Sequence, residues 1–224
     1  MLMTVGCFAY DYSTITGTKA SGAEISGYSG ALEVNVVDFG ADKKGKKDSS
    51  KAIQKALDYA IDNGSNSVQI KVVVPKGKYR IDKLLEIYSN TWLYLEDGAT
   101  IVRNFDKGCM IKNAQANGAG GYGSERNIVI EGGCWDGNPS PTSRPFSNMR
   151  FGHMKNLWIK NVEIKNNYNG HHVEIGGVKG ITIEDCDFHG YTGTFQKEAI
   201  QLDTISNSDV FPAYEPFDDT PVSY

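Results

Sequence analysis

The fold of this chain is decided by the stretch Asn156-Leu-Trp-Ile-Lys-Asn-Val-Glu-Ile-Lys-Asn166, which has a near copy on either side. The earlier copy is Asn127-Ile-Val-Ile-Glu-Gly-Gly-Cys-Trp-Asp-Gly137, and the later copy is Gly180-Ile-Thr-Ile-Glu-Asp-Cys-Asp-Phe-His-Gly190. The copies start 29 and 24 residues apart, and each holds short strands in which apolar and polar residues alternate. A repeat of this length, made of strands and turns without helices, predicts a β-solenoid and excludes leucine-rich and helical repeats.

A second strand accompanies each copy and sets the register of the coils. Two apolar columns are predicted to point inward: Met149, Val173 and Ile200, and Phe151, Ile175 and Leu202. Because side chains alternate between the two faces of a strand, the polar residues between these columns are predicted to point outward. They are Arg150, Glu174 and Gln201, flanked by Asn148, His172 and Ala199 before the strand and by Gly152, Gly176 and Asp203 after it. Successive coils lie about 4.8 Å apart, so these residues are expected to form a polar ladder on one flat face.

One helix is predicted ahead of the strands. Five apolar residues recur at helical spacing between positions 51 and 61, and Asp48-Ser49-Ser50 supplies residues that cap a helix N-terminus. A helix at this end would cover the first coil of the solenoid, whose backbone and interior are otherwise exposed. The basic cluster at 43–47 is expected to be a solvated loop, and residues 91–96 and 99–102 are expected to pair around the Asp97-Gly98 turn.

Composition limits the classes of protein. The chain has 224 residues and a net charge of -4 at pH 7, which predicts one domain and argues against a surface for nucleic acid or an anionic membrane. Its four cysteines do not make a disulfide framework in a chain of this length, and no Cys or His spacing resembles a zinc site.

The two ends of the chain differ from its middle. Residues 1–10 are apolar but too short to span a bilayer, and they resemble the end of a truncated secretory signal. We therefore divide the chain into a signal-like, flexible segment at 1–31 and a β-helix domain at 32–224, and we expect a secreted, extracellular protein. After Asp203 the sequence is Pro-rich and carries no capping pattern, which predicts a fragment of a longer solenoid or a subunit whose open end a partner covers.

Three segments near the start of the predicted solenoid carry a family resemblance. They are Val37-Val-Asp-Phe-Gly-Ala-Asp42, Asp48 with Ala52-Ile-Gln-Lys-Ala56, and Val72-Val-Val-Pro-Lys-Gly-Lys-Tyr79. With them, residues 34–203 resemble the pectate-lyase superfamily, which includes polygalacturonase-like glycosidases and phage tailspikes. The resemblance implies an all-β, right-handed parallel β-helix with one N-terminal capping α-helix. It is specific for fold and not for chemistry, because this fold carries hydrolases, lyases, epimerases and adhesins.

The motifs of polygalacturonase-type hydrolases are only partly present. The resemblance implies Asn-Thr-Asp-Gly and Asp-Asp motifs, but Asn167-Tyr-Asn-Gly170 and Lys197-Glu198 stand at those places. The Gly-His-Gly and Arg-Ile-Lys motifs have no counterpart, because Phe188-His-Gly190 comes too early in the coil. These departures argue against polygalacturonase activity as such.

The predicted ladder offers a different pair of carboxylates. Glu174 and Asp203 are expected on adjacent coils, one outward position apart, which puts their Cα atoms about 8 Å from each other. That spacing suits inverting glycoside hydrolysis, in which one carboxyl protonates the leaving oxygen and the other activates water. Glu198, ahead of the last strand, is a third candidate acid or base.

Neighbouring side chains could support these carboxylates. His172 could orient a carboxylate, bind a sugar hydroxyl or transfer a proton, and it could equally be an ordinary surface residue. Arg150 is expected to form an ion pair with Glu174 or to grip an acidic sugar. The predicted substrate-binding set is Arg150, His171, Gln201, Tyr168 and Asn148.

Three functions remain open at this point. The leading hypothesis is a secreted glycoside hydrolase that cleaves an extracellular polysaccharide with Glu174, Asp203, Glu198 and His172. The second is a polysaccharide lyase or epimerase acting on uronates, which needs a base together with Arg, Lys or calcium to neutralise the substrate carboxylate. The third is a glycan-binding adhesin or tailspike-like protein without catalytic activity. Apart from calcium in a lyase, no metal or cofactor is expected, and the protein is expected to be a monomer or a homotrimer without a transmembrane segment.

Overall fold

The computed structural model describes residues 7–8, 30–114, 121–195 and 197–205 of the chain. In chain order its elements are β1 (Cys7–Phe8), β2 (Gly30–Asn35), β3 (Lys44–Asp48), α1 (Ser50–Asn63), β4 (Val68–Val74), β5 (Gly77–Ile81), β6 (Leu85–Ile87), β7 (Thr91–Leu95), β8 (Ala99–Arg103), β9 (Ile111–Asn113), β10 (Arg126–Glu131), β11 (Cys134–Asp136), β12 (Met149–Lys160), β13 (Glu163–Lys165), β14 (Val173–Glu184), β15 (Asp187–His189) and β16 (Ile200–Asp203). All but one of these elements are strands, so the all-β class predicted from the repeats is confirmed.

The strands wind into coils with three faces. The ladder face holds β6, β9, the first halves of β12 and β14, and β16, which pair in parallel in that order. The wide face holds β2, β4, β7, β10 and the second halves of β12 and β14, and the third face holds β3, β5, β8, β11, β13 and β15. β1 pairs antiparallel with β2. The predicted right-handed parallel β-helix is confirmed, with the handedness that parallel crossovers adopt.

Asparagine side chains hold the corner at which each repeat begins. Asn127 and Asn156 have φ values of 57° and 59°, in the left-handed region that Asn adopts more readily than most residues. The Asn156 amide donates to Asn127 Oδ1 at 2.8 Å, and the Asn127 amide donates to Asn90 Oδ1 at 3.2 Å. Gly180, which opens the third sequence copy, has a φ of 80°. The Asn or Gly that begins each copy is therefore required by the turn.

A second corner lets one strand serve two faces. β12 and β14 bend from the ladder face to the wide face at His153 and Gly177, whose φ values are 54° and 59°. The Asn113 side chain spans this corner, because its amide donates to the Gly152 carbonyl at 2.9 Å and its Oδ1 accepts the Gly152 N–H at 2.8 Å. The bend thus keeps its backbone hydrogen bonds satisfied while the chain changes direction.

The predicted inward columns form part of the core. Met149, Phe151, Val173 and Ile175 are all 0% exposed, which confirms the register read from the repeats. Leu202 was predicted to join them but is 60% exposed. Its strand, β16, has β14 as its sole strand neighbour among the described residues, so this end of the column is covered on one side.

The predicted helix covers the first coils. It extends from Ser50 to Asn63, its five predicted apolar residues are buried, and it contacts β4 and β6. Ser49 occupies the N-cap position without a capping hydrogen bond, because its Oγ accepts the N–H of Asp42 at 2.9 Å. Asp48 Oδ1 accepts the Ser50 N–H at 2.8 Å instead. The capping group therefore comes from one residue further back in the predicted Asp-Ser-Ser segment.

Two local predictions are wrong. The basic cluster is not a loop, because Lys44–Asp48 forms β3 and pairs with β5. The strands beside the Asp97-Gly98 turn do not pair with each other, because β7 pairs with β4 and β10 while β8 pairs with β5 and β11. The Asp97-Gly98 turn is a corner between two faces of the β-helix. The prediction failed because the local sequence of such a corner resembles that of a β-hairpin turn. Most of the predicted signal-like segment at 1–31, and the Pro-rich end from 206, lie outside the described residues.

Candidate functional site

The outward residues of the ladder face form one continuous column over five coils. Arg150 pairs in register with Glu174, and Glu174 with Gln201, as the repeats predict. The column continues in the other direction through Lys112 and Glu86, which the sequence analysis missed. Each missed residue lies between two residues of a short strand, as Arg150 lies between Met149 and Phe151. The triplet pattern was a signal for them, but strands of three residues are too short to stand out.

The centre of this column is a buried ion pair. An Arg150 guanidinium nitrogen lies 2.9 Å from Glu174 Oε1, and the two side chains are 2% and 11% exposed. Glu174 Oε2 accepts a hydrogen bond from the Ser147 hydroxyl at 2.8 Å. The predicted ion pair is present, and both side chains are shielded from solvent although they belong to the outward positions of their strands. Ser147, from the segment that leads into β12, folds against them and also accepts the His171 N–H at 3.1 Å.

Ser147 is a further site residue that could not be predicted from the sequence. It precedes the repeated strand, and no residue pattern marks it. Its position depends on the path of the excursion from 138 to 147, which the period-two alternation does not determine. An isolated Ser in a loop is usually an exposed residue, whereas Ser147 is 5% exposed.

The ion pair defines the chemistry available at Glu174. An ionised carboxylate can accept about four hydrogen bonds, so the bonds from Arg150 and Ser147 leave acceptor capacity on both oxygens. Its residual exposure of 8% leaves access for a small molecule such as water. An ionised, oriented and partly shielded carboxylate can accept a proton but has no proton to give.

Asp203 lies on the neighbouring coil in a more open setting. Gly176 is its partner in the parallel register, which is one outward position beyond Glu174. This register is the one predicted from the repeats, and strand spacing and rise then place the Cα atoms of Glu174 and Asp203 about 8 Å apart. Asp203 is half-buried, and its Oδ2 accepts the Gln201 side-chain amide at 2.5 Å. Gln201 therefore orients this carboxylate.

Glu198 and His171 meet at the start of the last described coil. His171 Nδ1 lies 2.8 Å from the Glu198 carbonyl oxygen, so this nitrogen carries a proton and donates. The Glu198 carboxylate is 3.7 Å from the same nitrogen, and its side chain is 74% exposed. His171 is 4% exposed, so it holds the backbone of this turn while Glu198 extends into solvent.

His172 is buried beneath the turn. Its Nε2 donates to the His189 carbonyl oxygen at 2.9 Å, and its ring lies against Phe188 at a centroid distance of 5.8 Å. Burial lowers the pKa of His172, which favours the neutral ring with the proton on Nε2. Its Nδ1 then carries a lone pair, and this buried atom has no hydrogen-bond partner among the described residues.

Two predicted substrate-binding residues, Asn148 and Tyr168, make contacts that hold the turns between faces. Asn148 is 0% exposed, and its amide donates to the Lys165 carbonyl oxygen at 2.9 Å. Tyr168 is half-buried, and its backbone bridges Phe146 on one side and Thr192 on the other. The contacts of both residues fix the corner between the third face and the ladder face, and substrate binding by them stays a prediction.

A second carboxylate cluster lies on the third face. Glu163 Oε1 accepts hydrogen bonds from Lys165 Nζ and His189 Nε2, both at 2.9 Å. Burial acts to raise the pKa of Glu163, but hydrogen bonds from Lys165, Cys134 and His189 outweigh it and lower the pKa to about 2. Burial and the neighbouring Glu163 raise the pKa of the Cys134 thiol to about 12, so this cysteine is an inert thiol.

The described residues contain neither a metal-ligand group nor a helix that could span a membrane. Within 7–8, 30–114, 121–195 and 197–205, no three His, Cys, Asp or Glu residues are grouped to hold a metal ion. In the same part of the chain, α1 is too short and too polar to cross a membrane. The calcium ion considered for a lyase stays a prediction.

Comparison with known proteins gives relatives of several kinds. The chain is 28% identical to plasmin and fibronectin-binding protein A of Streptococcus pneumoniae, over 77% of this chain and 27% of that protein. It therefore spans about a quarter of the length of that relative. A crystal structure of PfbA, a surface adhesin of the same species, superposes with a TM-score of 0.62 at 26% identity, over 75% of this chain and 42% of that one.

A polygalacturonase shares the fold. The family 28 exopolygalacturonase of Yersinia enterocolitica superposes with a TM-score of 0.61 at 18% identity, over 76% of this chain and 41% of that one. The model of the family described as rhamnogalacturonase A/epimerase, pectate lyase-like, matches residues 33–211, which include every ladder residue described above. The chain therefore belongs to the rhamnogalacturonase A/epimerase family of pectate lyase-like proteins.

Proposed function

We propose that this protein is a glycoside hydrolase that cleaves an extracellular polysaccharide lying across the ladder face, with inversion at the anomeric carbon. The observation that carries the proposal is the register of β14 and β16, in which Asp203 lies one outward position beyond the neighbour of Glu174. The resulting Cα separation of about 8 Å is compatible with a gap between the two carboxyl groups that holds a water molecule and a glycosidic bond.

The surroundings of the two carboxylates suggest which is the base. Arg150 and Ser147 hold Glu174 as an oriented carboxylate in a shielded setting, which suits a general base that activates water. Asp203 is more open and can reach a larger group, which suits the general acid. A water oxygen would form a bond to the anomeric carbon while Glu174 takes its proton. The bond from that carbon to the leaving oxygen would break as Asp203 donates a proton to it.

The other predicted residues have supporting roles in this proposal. Gln201 orients Asp203, as its side-chain amide already donates to that carboxylate. His172 is buried, and its hydrogen bond to the His189 carbonyl oxygen holds the turn that leads into the ladder strand, so its role in this proposal is to position that strand. Glu198 is exposed and lies before the bend at Ala199, outside the ladder strand β16, so this proposal assigns it to substrate binding.

The second candidate is a surface adhesin that binds its ligand on the same face without cleaving it. Two observations favour it. One is that both oxygens of Glu174 are engaged, as in a structural ion pair. The other is similarity to a protein named for binding plasmin and fibronectin and to a surface adhesin. Under either candidate we expect secretion or display at the cell surface.

The test is an end-product assay on the full-length protein against a panel of neutral and acidic polysaccharides. Wild-type protein is expected to release new reducing ends from at least one of them. Asp203→Asn and Glu174→Gln are each expected to lower kcat by about 100-fold or more, the usual contribution of a general acid or base. Asp187→Asn, an exposed carboxylate change on the third face, is the matched control and should leave kcat unchanged.

The products separate the candidates. New reducing ends that depend on both carboxylates support the hydrolase. Unsaturated products that absorb in the ultraviolet would replace it with a lyase. Retained glycan binding with no cleavage of any polysaccharide would replace it with the adhesin. Asp203 is half-buried, so its variant is the safer one for folding, and a thermal unfolding curve beside each assay identifies a variant that has lost its structure.

A further inference from the structure

A pocket outside the ladder face lies between two turns that leave the third face. Its volume is about 330 Å³, and it is lined by Asn104, Phe105, Asp106, Asn138, Ser140 and Thr142. The first three of these residues follow β8, and the last three belong to the excursion that follows β11. This volume is at the lower end of the range for small-molecule sites, which suits one sugar residue better than a longer ligand.

The walls of this pocket are held in place by hydrogen bonds between the two turns. Thr142 Oγ1 donates to Asp106 Oδ1 at 2.7 Å, and the Arg144 N–H donates to the Asp106 carbonyl oxygen at 2.9 Å. The Asn138 amide donates to the Arg103 carbonyl oxygen at 3.0 Å. The pocket is therefore formed before any ligand arrives, so binding costs little ordering of the excursion.

The aromatic side chain of the pocket is fixed from behind. The Arg103 guanidinium carbon lies 4.3 Å from the ring centroid of Phe105 and 3.8 Å from that of Phe146, so the cation is stacked against both rings. Arg103 is 1% exposed, whereas Phe105 is half-buried and lines the pocket. Arg103 fixes one face of Phe105, and the ring packs partly against the core while its exposed part contributes an apolar surface to the pocket.

The remaining lining is polar, and its only ionisable group is a carboxylate. Asp106 Oδ1 accepts the hydroxyls of Ser140 and Thr142, which leaves Oδ2 as an acceptor for a ligand hydroxyl. The Asn104 amide is anchored on Asp82 Oδ1 at 2.8 Å, and this bond sets the direction of its other polar atoms. A flat apolar surface beside several acceptors and donors fits a sugar ring with its hydroxyls. The carboxylate of Asp106 would repel an acidic sugar.

We propose that this pocket binds a neutral pyranose residue of a polysaccharide. It is a second carbohydrate site, separate from the carboxylates of the ladder face, and it does not depend on cleavage there. Phe146 and Ser147 connect the two regions, because Phe146 stacks on Arg103 and Ser147 contacts Glu174. A polysaccharide held in the pocket would therefore lie beside the ladder face.

The test is a titration of the isotope-labelled full-length protein with four probes, followed by NMR. The probes are methyl glucopyranoside, methyl galactopyranoside and the two corresponding uronides. A neutral glycoside is expected to shift the Phe105 ring and Thr142 methyl signals, with weak, millimolar affinity. Phe105→Leu keeps the apolar cover over Arg103 but removes the flat ring, and should weaken binding about three- to tenfold. Asp106→Asn should bring the uronides closer to the neutral glycosides in affinity.

Two control variants make the outcome decisive. Asp97→Asn changes an exposed turn carboxylate away from the pocket and should leave both affinities unchanged. Glu174→Gln removes the carboxylate proposed as the base and should leave pocket binding intact, so failure of the hydrolase proposal is distinguishable from failure of this one. The proposal is overturned if neutral glycosides give no shifts at Phe105 and Thr142, if uronides bind more tightly, or if Phe105→Leu behaves as the control does.

Discussion

Glu174 on the ladder face and Glu163 on the third face each bind a basic side chain of a neighbouring coil. Their contacts therefore connect adjacent coils of the β-helix. Glu174 reaches Arg150 on the preceding coil, and the pair is 11% and 2% exposed. Glu163 binds Lys165 on its own strand and His189 on the next coil, with side-chain exposures of 36%, 26% and 47%. The bond lengths are the same, 2.9 Å in all three contacts. Burial is what separates the two clusters.

Burial determines how strongly each cluster depends on its cationic partner. In a shielded setting a charge that loses its partner is only partly solvated, so the Arg150–Glu174 pair depends on both members. At the more exposed Glu163, water and salt substitute for a lost partner at little cost. A shielded, fixed carboxylate is also the kind of group that a reaction can use, which is why the proposed site is on the ladder face.

The largest expected effect is from Arg150→Met. This change leaves the Glu174 carboxylate buried without its cation, and we expect a loss of about 3–5 kcal/mol in the free energy of unfolding. Urea unfolding followed by circular dichroism measures it. The double variant Arg150→Met with Glu174→Gln removes both charges and should recover most of the loss. A single-variant loss below about 1 kcal/mol would mean that solvent compensates the charge of Glu174 as well as it does at Glu163, and the contrast between the two faces would disappear.

Ser147→Ala should have the next largest effect. It removes the hydroxyl that donates to Glu174 Oε2 and accepts the His171 N–H. Hydrogen bonds to charged groups contribute about 1.5–3 kcal/mol, and we expect a loss in that range by the same unfolding measurement. Ser140→Ala, an exposed serine of the same excursion, is the matched control and should change the stability by less than about 0.5 kcal/mol. Equal losses of stability for Ser147→Ala and Ser140→Ala would contradict the assignment of Ser147 to the site.

Lowering the pH should reduce the stability that the Glu163 cluster on the third face contributes. The pKa of Glu163 is lowered from 4.5 to about 2 in the folded protein. The stability that this shift contributes is therefore present above pH 4.5 and is lost as the pH falls toward 2. Because Glu163 is more than a third exposed, screening reduces the contribution to about 1 kcal/mol. Stability measured from pH 5 to pH 2 should fall less steeply in Glu163→Gln than in wild type, and parallel curves would contradict the assignment.

The smallest expected effect is from Lys165→Met. It removes the cation beside Glu163 on the exposed cluster, where His189 and water remain as partners. We expect a change of about 0.5 kcal/mol in the free energy of unfolding, against several kcal/mol for the same kind of change at Arg150. Measured side by side at low and at high salt, the Lys165 effect should shrink with salt and the Arg150 effect should persist.

The ladder could be predicted from the sequence because its signals are local. Period-two alternation fixes which residues of a strand point outward, and the repeat fixes which of them are neighbours, so Arg150, Glu174 and Gln201 were aligned correctly. β3 was missed because its lysines carry no apolar alternation, although Asp42 accepts three of their backbone N–H groups and holds the strand in place.

Burial of the ladder could not be predicted for a different reason. Whether an outward residue is exposed depends on what lies above it, and Ser147 reaches Glu174 through an excursion whose path is not periodic. Leu202 illustrates the converse, because it has the sequence pattern of a core residue but lies on the last described strand and is 60% exposed. Register is a local property of the sequence, whereas burial depends on neighbouring coils and loops.

The most direct test of the central claim is the anomeric configuration of the first product, measured by proton NMR within minutes of adding wild-type protein to a polysaccharide that it cleaves. We predict inversion, because carboxyl groups carried on Cα atoms about 8 Å apart can hold a water molecule between them. Product that first forms with retained configuration would contradict the account, because retention requires carboxyl groups about 5 Å apart and a covalent intermediate.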